Sequence, residues 1–478
     1  MSLTLQTTPT AQIRIGHARA DITPPVGIYH PMWGAARHHR ATGIHRPLAA
    51  DILVFAAADG SSPWAQAQFD MVGLGPDDHK AMAAAIAAGA GLPADRVVLA
   101  YSHTHAGGLF SRDRATLPGG ELIVPYLDTV RAKVQAAAAL AAAQMGDATL
   151  SYGVGRCDLA ANRDYWDEQR GLYACGFNPD ARADDTLLVV RAAAPDGRRL
   201  LTLVNYACHP TTLAWDNTLV SPDYVGALRA TVEQATGAPA VFTLGACGDL
   251  GPRHGFTGDL AVADRNGRRL GHAALAALEA LDPPGHDFAY AGPVVSGATL
   301  GTWLPAPQSE TRQAEARRFG GGRYMVDLPQ KPRPDADALQ RELADWLARQ
   351  HEADAAGDAS AARDYGARAE RARRWLNRLT SLPAGDRYPY PFTVRRMGDG
   401  FWVGVGGEPY NYLQTELRRR FPDHPVVVTV LAGESGVAYL LPADRYGKGL
   451  YQEEPSILAP GCLETLIDAV TARMTELL

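Results

Sequence analysis

Short apolar runs bounded by glycine, proline or charged residues punctuate this chain at 97–101, 186–191, 200–206, 240–244, 401–405 and 426–431. Runs of that length, rich in Val, Leu, Phe and Tyr, predict strands. Pro195-Asp196-Gly197 and Gly398-Asp399-Gly400 lie between such runs and predict tight hairpins, hence some antiparallel pairing. Alanine-rich stretches at 79–88 and 129–145 predict helices, as does the segment after Ser221-Pro222, with Ser221 as N-cap and Pro222 at the first helical position. Leu463, Leu466, Ile467, Val470, Met474 and Leu477 recur at helical spacing and predict a closing amphipathic helix. Strands and helices interleave. The expected fold is mixed α/β (α+β): one domain over 1–478, a central mixed sheet flanked by helices.

Residues 310–386 break the pattern with Gly320-Gly321-Gly322, several prolines and two runs dense in Ala, Arg and Glu. Leu339, Leu343, Trp346 and Leu347 share one helical face; Tyr365, Ala369, Ala372, Leu376 and Leu379 share another, with Gly357-Asp358 between them. This predicts a helical hairpin inserted outside the core.

Chemistry-bearing residues follow the strands. Ser102-His103-Thr104-His105 comes directly after run 97–101. In extended backbone, residues two apart project to one side, so both imidazoles could face one point. Neutral imidazole is a common metal ligand, though such pairs also occur without a metal. His209 ends another run; it reads either as a ligand or as a buried histidine donating to a carbonyl. Its neighbour Cys208 points to the opposite face and reads as core. Glu408, after Gly406-Gly407 and before Pro409, reads as a ligand or a helix cap. Tyr439 comes soon after run 426–431. Ligand sites gather at strand ends in sheets of this kind.

Composition narrows the function. The net charge of −6 and pI near 6.2 leave no basic surplus for nucleic acid or an anionic membrane. The polar, Thr-rich start lacks the basic and apolar regions of a secretory signal, and no stretch reads as a membrane span. Five cysteines without C-x-x-C spacing argue against a disulfide framework and against a cysteine zinc cage. A cytoplasmic protein is expected, with no stable membrane association.

In order and spacing the chain resembles the catalytic domain of the neutral, non-lysosomal ceramidases and their bacterial relatives. The resemblance runs through Ala20-Asp21-Ile22-Thr23-Pro24, Gly43-Ile44-His45, Phe69-Asp70 and His103-Thr104-His105. It continues through Asn162-Arg163, Asn178-Pro179, His209-Pro210, Gly248-Asp249, Gly407-Glu408-Pro409 and the stretch 439–451. It implies one zinc held by His103, His209, Glu408 and Tyr439, with His105 moving a proton and Arg163 steadying negative charge. The chain departs from the family at Gly248-Asp249-Leu250-Gly251-Pro252, where Gly251 replaces a serine. Cys247 nearby is a weak candidate nucleophile.

The expected function is hydrolysis of an amide or ester in a small soluble substrate by a metal-activated water. A true ceramidase and a non-catalytic metal- or metabolite-binding relative are the alternatives. Arg37, His38, His39, Arg40, Arg163, Asp164, Arg253 and His254 would, if several lined the pocket, disfavour a long acyl chain.

Overall fold

The computed structural model describes residues 4–433 and 436–478. Its centre is an eight-stranded sheet whose spatial order is Ala240–Leu244, Arg199–Tyr206, Thr186–Ala193, Gly146–Arg156, Thr10–Asp21, Ala49–Ala57, Trp64–Phe69, Val97–Tyr101. The outermost pair at each end is parallel and the inner pairs are antiparallel. A second sheet joins Phe319–Pro329, Arg387–Met397, Gly400–Val405 and Val426–Thr429, the last pair parallel. The mixed α/β expectation holds.

Burial explains the layering. Ala49–Ala57 and Trp64–Phe69 are buried almost throughout, as sheet strands covered on both faces must be. On one face the helices Pro76–Ala90 and Ile123–Ala143 bury Met82, Ile86, Leu127, Val130 and Val134 against Ile52, Val54 and Phe69. On the other, Phe55, Trp64 and Trp402 stack between the two sheets. Full burial of each such side chain stabilises by roughly 1.5–3 kcal/mol. Both predicted hairpin turns are present, with Gly197 and Gly398 at φ of 83° and 57°. The closing helix is Cys462–Glu476.

Several expectations are corrected. Asp223, not Ser221, caps the helix Tyr224–Thr236; its carboxylate accepts from the Tyr224 N–H, and Ser221 Oγ instead accepts from the Asp223 N–H. The glycine run at 320–322 is not part of a helical insertion, because Phe319–Pro329 pairs with Arg387–Met397 along its length. The helices Ala336–Ala355 and Ala359–Ser381 form a hairpin between these two strands, with Gly357 at φ 75° in the turn. A second projection was not anticipated: strands His286–Ser296 and Ala298–Pro307 form a hairpin exposing Val294, Val295, Leu300 and Leu304. The chain therefore does carry an apolar surface. Among the described residues no helix is long and apolar enough to cross a membrane. All five cysteines are free thiols.

Candidate active site

The strand Val97–Tyr101 stops where the chain turns. The N–H of Ser102 still donates to Phe69 O and that of His103 to Met71 O, but His103 has φ of 64°, the left-handed region. The two imidazoles of His103 and His105 therefore meet, with ring centroids 4.8 Å apart, through a strained turn and not through strand alternation. Nonglycine residues held this way cost about 1–3 kcal/mol and persist where the surroundings over-determine them.

His209 follows Arg199–Tyr206, completely buried, with its N–H near Leu250 O. Glu408 follows Gly400–Val405, where Gly407 at φ 66° brings the backbone against Val437 and Ala438. Tyr439 pairs with Glu408 across a two-residue parallel ladder. The sequence thus scatters these groups over more than three hundred residues, and the fold collects them.

The hydrogen bonds fix which nitrogen of each histidine faces the site. His103 Nδ1 lies 2.6 Å from Val72 O, and His209 Nδ1 lies 2.7 Å from Cys247 O and 3.0 Å from Leu250 O. A carbonyl can only accept, so each Nδ1 carries a proton and each Nε2 is the nitrogen turned toward the site. Those Nε2 atoms lie 3.4 Å and 2.8 Å from Glu408 Oε2. Burial alone would raise the Glu408 pKa, but His103 and His209 hold it well below the usual carboxylate range. Burial lowers His209 to about 4, against the pull of Glu408. The ligand atoms of His103, His105 and His209 all lie within 4.8 Å of one another.

Around this centre, Arg163 is buried and its Nη2 donates to Gly248 O at 2.7 Å and to the Tyr439 hydroxyl at 3.0 Å. Burial opposes its charge, but Cys175, Tyr439 and Glu408 hold its pKa well above the ordinary arginine value. Its backbone is set by the ladder joining Ala160–Asn162 to Leu250–Pro252 and by its N–H donating to Asp249 O. Tyr439 is raised well above its ordinary value by burial and by Glu408, so its hydroxyl keeps its proton unless a cation binds. Neither ring nitrogen of His105 has a hydrogen-bond partner among the described residues, and burial with His103 and His209 pushes its pKa well down.

The donor set suits a divalent ion: two oriented imidazole nitrogens, a carboxylate and a phenol, the mixed nitrogen and oxygen set that zinc and its neighbours take. Cys208 and Cys247 are fully buried with pKa values raised well above the ordinary thiol by burial, so neither is an activated nucleophile.

Most of the polar groups expected near the pocket serve elsewhere. Arg37 pairs with Asp354 on the helical hairpin, Arg40 with Glu121, and His38 bonds His30. Arg253 stacks over Phe177, and Asp164 accepts from Gln452 and Tyr410. His39 and His254 are exposed. Only Arg163 of that group bonds a residue of the centre, so a long acyl chain would not be buried against the charges expected there.

Sequence reasoning missed the aromatic wall. Trp33 lies 4.8 Å from the His105 ring and meets Trp215 and Phe256 edge on. No local pattern marks Trp33, because its role comes from a loop folding across the sheet end. That loop is held by the helical hairpin: Arg374 donates to Met32 O, and Ala367 packs on Gly34. Asn377 bonds Asp113 and Trp375 bonds Glu454, so the second hairpin helix ties down three segments around the site.

No protein-family model matches the chain, and no curated protein matches it. Among solved structures it is similar to the neutral ceramidase of Pseudomonas aeruginosa, with TM-score 0.64, 17% identity, and 98% of this chain and 75% of that one covered. A ceramidase described as complexed with C2 gives TM-score 0.64 and 16% identity, over 98% and 76% of the two chains. Over nearly its whole length, then, this chain has the fold of the bacterial neutral ceramidases and is ceramidase-like in architecture.

Proposed function

We propose that this protein is a zinc-dependent hydrolase that cleaves an amide or ester bond of a small soluble substrate, with His103, His209, Glu408 and Tyr439 as the metal ligands. The observation that carries this reading is the convergence of two Nε2 atoms, each ring oriented by a carbonyl behind it, on one carboxylate. Zinc bound there would supply a Lewis acid and a water acidified toward neutral pH. Arg163 and the Tyr439 hydroxyl, already 3.0 Å apart, would receive the developing oxyanion. His105, without a hydrogen-bond partner at either nitrogen among the described residues, would take the proton that the attacking water loses and pass it to the leaving amine or alcohol. Trp33, Trp215 and Phe256 would exclude water on the His105 side.

One observation favours a second reading, hydrolysis of ceramide at a lipid surface. Residues 288–308 contain no Asp, Glu, Lys or Arg, and their hairpin exposes Val294, Val295, Leu300 and Leu304. The discriminating experiment is competition by zinc-loaded protein between long-chain ceramide in detergent and a panel of short-acyl amides, lactams and esters. A higher kcat/KM for the short substrates supports the first reading. A preference for ceramide that Val295→Asp weakens installs the second, and absence of turnover with bound metal leaves a non-catalytic relative.

A further inference from the structure

Between the two sheets, away from the ligand cluster, lies a cavity of ≈ 10 Å³ lined by Trp64, Gln66, Thr393, Arg395, Trp402 and Thr429, among others. Arg395 is 3% exposed and Trp64 2% exposed. The guanidinium lies over the Trp64 ring at 4.4 Å. Its Nε and the Trp64 indole N–H have no hydrogen-bond partner among the described residues, and Arg395 makes no ion pair with a carboxylate there. Burial lowers the Arg395 pKa to about 10, with Arg96 acting in the same direction and Tyr324 and Asp95 against it, so the group stays cationic at neutral pH. An arginine does not escape by losing its proton, so a guanidinium this far inside gains from an acceptor at its unpartnered Nε. Stacking on Trp64 offsets only part of the cost of burial.

The remaining groups supply donors and little negative charge. Gln66 Nε2 reaches Thr429 Oγ1 at 3.4 Å, and the Thr393 hydroxyl reaches Gly404 O at 3.5 Å, both long contacts. The space is about that needed for one water-sized guest.

We propose that this cavity binds one small monovalent anion of halide size, held by the Arg395 guanidinium and the Trp64 indole N–H. The position gives the anion a structural consequence. Trp64 and Gln66 sit on the strand beside Val97–Tyr101, which delivers His103, while Arg395 and Trp402 sit on the strand pair that delivers Glu408. The anion therefore fastens together the two strands that lie beside those leading to His103 and Glu408.

The test uses the full chain and chloride, bromide or gluconate at constant ionic strength. The Tm rises with chloride or bromide and saturates, and does not rise with gluconate. Bromide-soaked crystals give an anomalous peak beside Arg395. Trp64→Phe removes one N–H donor and shifts the halide midpoint roughly tenfold, and Arg395→Gln abolishes the halide-dependent rise whatever its starting Tm. Equal Tm in chloride and gluconate, a bromide map with no peak at Arg395, or a halide response that survives Arg395→Gln would each overturn the proposal. The native titration and the anomalous map decide it even if Arg395→Gln does not fold.

Discussion

Glu408 and Tyr439 are register partners in a two-residue parallel ladder, and the Glu408 N–H donates to Ala438 O at 2.7 Å. The carboxylate and the phenol are thereby set side by side by backbone pairing. Side-chain flexibility then matters little to their separation, which is the condition for a site that binds a metal without paying much ordering entropy. His209 enters from the other side, 2.8 Å from the same carboxylate.

Metal content should follow that geometry. Glu408→Ala and His209→Ala are expected to lose bound zinc, whereas His105→Ala should retain it and lose turnover, since His105 makes no bond to the ligand carboxylate. Elemental analysis of the purified variants checks this, and full occupancy in both alanine variants of the ligands would refute the assignment.

Gly407 controls the ladder. A Cβ there would lie 2.5 Å from Ala438 O and 2.8 Å from Val437 O, and φ is 66°. Gly407→Ala should destabilise by about 1–3 kcal/mol and weaken zinc binding roughly 10- to 100-fold. Thermal unfolding and a chelator-competition titration read the two effects separately.

Arg163 is expected to act on the transition state more than on metal binding, because it donates to Gly248 O and Tyr439 and not to a histidine. Arg163→Met should lower kcat by about 10²- to 10³-fold with zinc content unchanged. Loss of metal in parallel with activity would recast Arg163 as a support for Tyr439.

Stability in acid depends on Asp51. Burial alone would raise its pKa, but His17 and Arg19, at 2.8 Å and 2.7 Å, hold it down to about 2. A folded pKa below the unfolded value of about 3.9 stabilises above that value and is lost as pH falls toward 2, a contribution on the order of 2 kcal/mol. The stability gap between the native protein and Asp51→Asn should be greatest above pH 5 and shrink as pH falls from 4 to 2. Urea unfolding across that range measures it.

The helical hairpin is anchored through Glu370, which bonds Arg114 through both oxygens and also Arg373 and Arg374. The Arg114 side chain is 2% exposed. Glu370→Ala leaves that buried cation with Asp113 alone, at 3.2 Å, and should cost about 1–3 kcal/mol. A Tm unchanged from the native protein would mean that the hairpin swings free and Arg114 finds water.

The local patterns determined what local physics controls: the sheet strands, the closing helix, the two glycine turns, the two helical faces of the hairpin, and a histidine, glutamate or tyrosine after particular strands. His103, His209, Glu408 and Tyr439 were legible as candidates because each follows an apolar run, and the family resemblance joined them. Tertiary structure decided the rest. The left-handed turn at His103 depends on Met71 and Val72 in the bend after Trp64–Phe69, and the orientation of the His209 ring depends on carbonyls of Cys247 and Leu250. Trp33 meets His105 only because a loop crosses the sheet end, and 319–329 is a strand only because 387–397 lies beside it. Spacing along a chain encodes periodicity, whereas convergence on a point is set by which distant segments pack together, and that information is spread over the whole core.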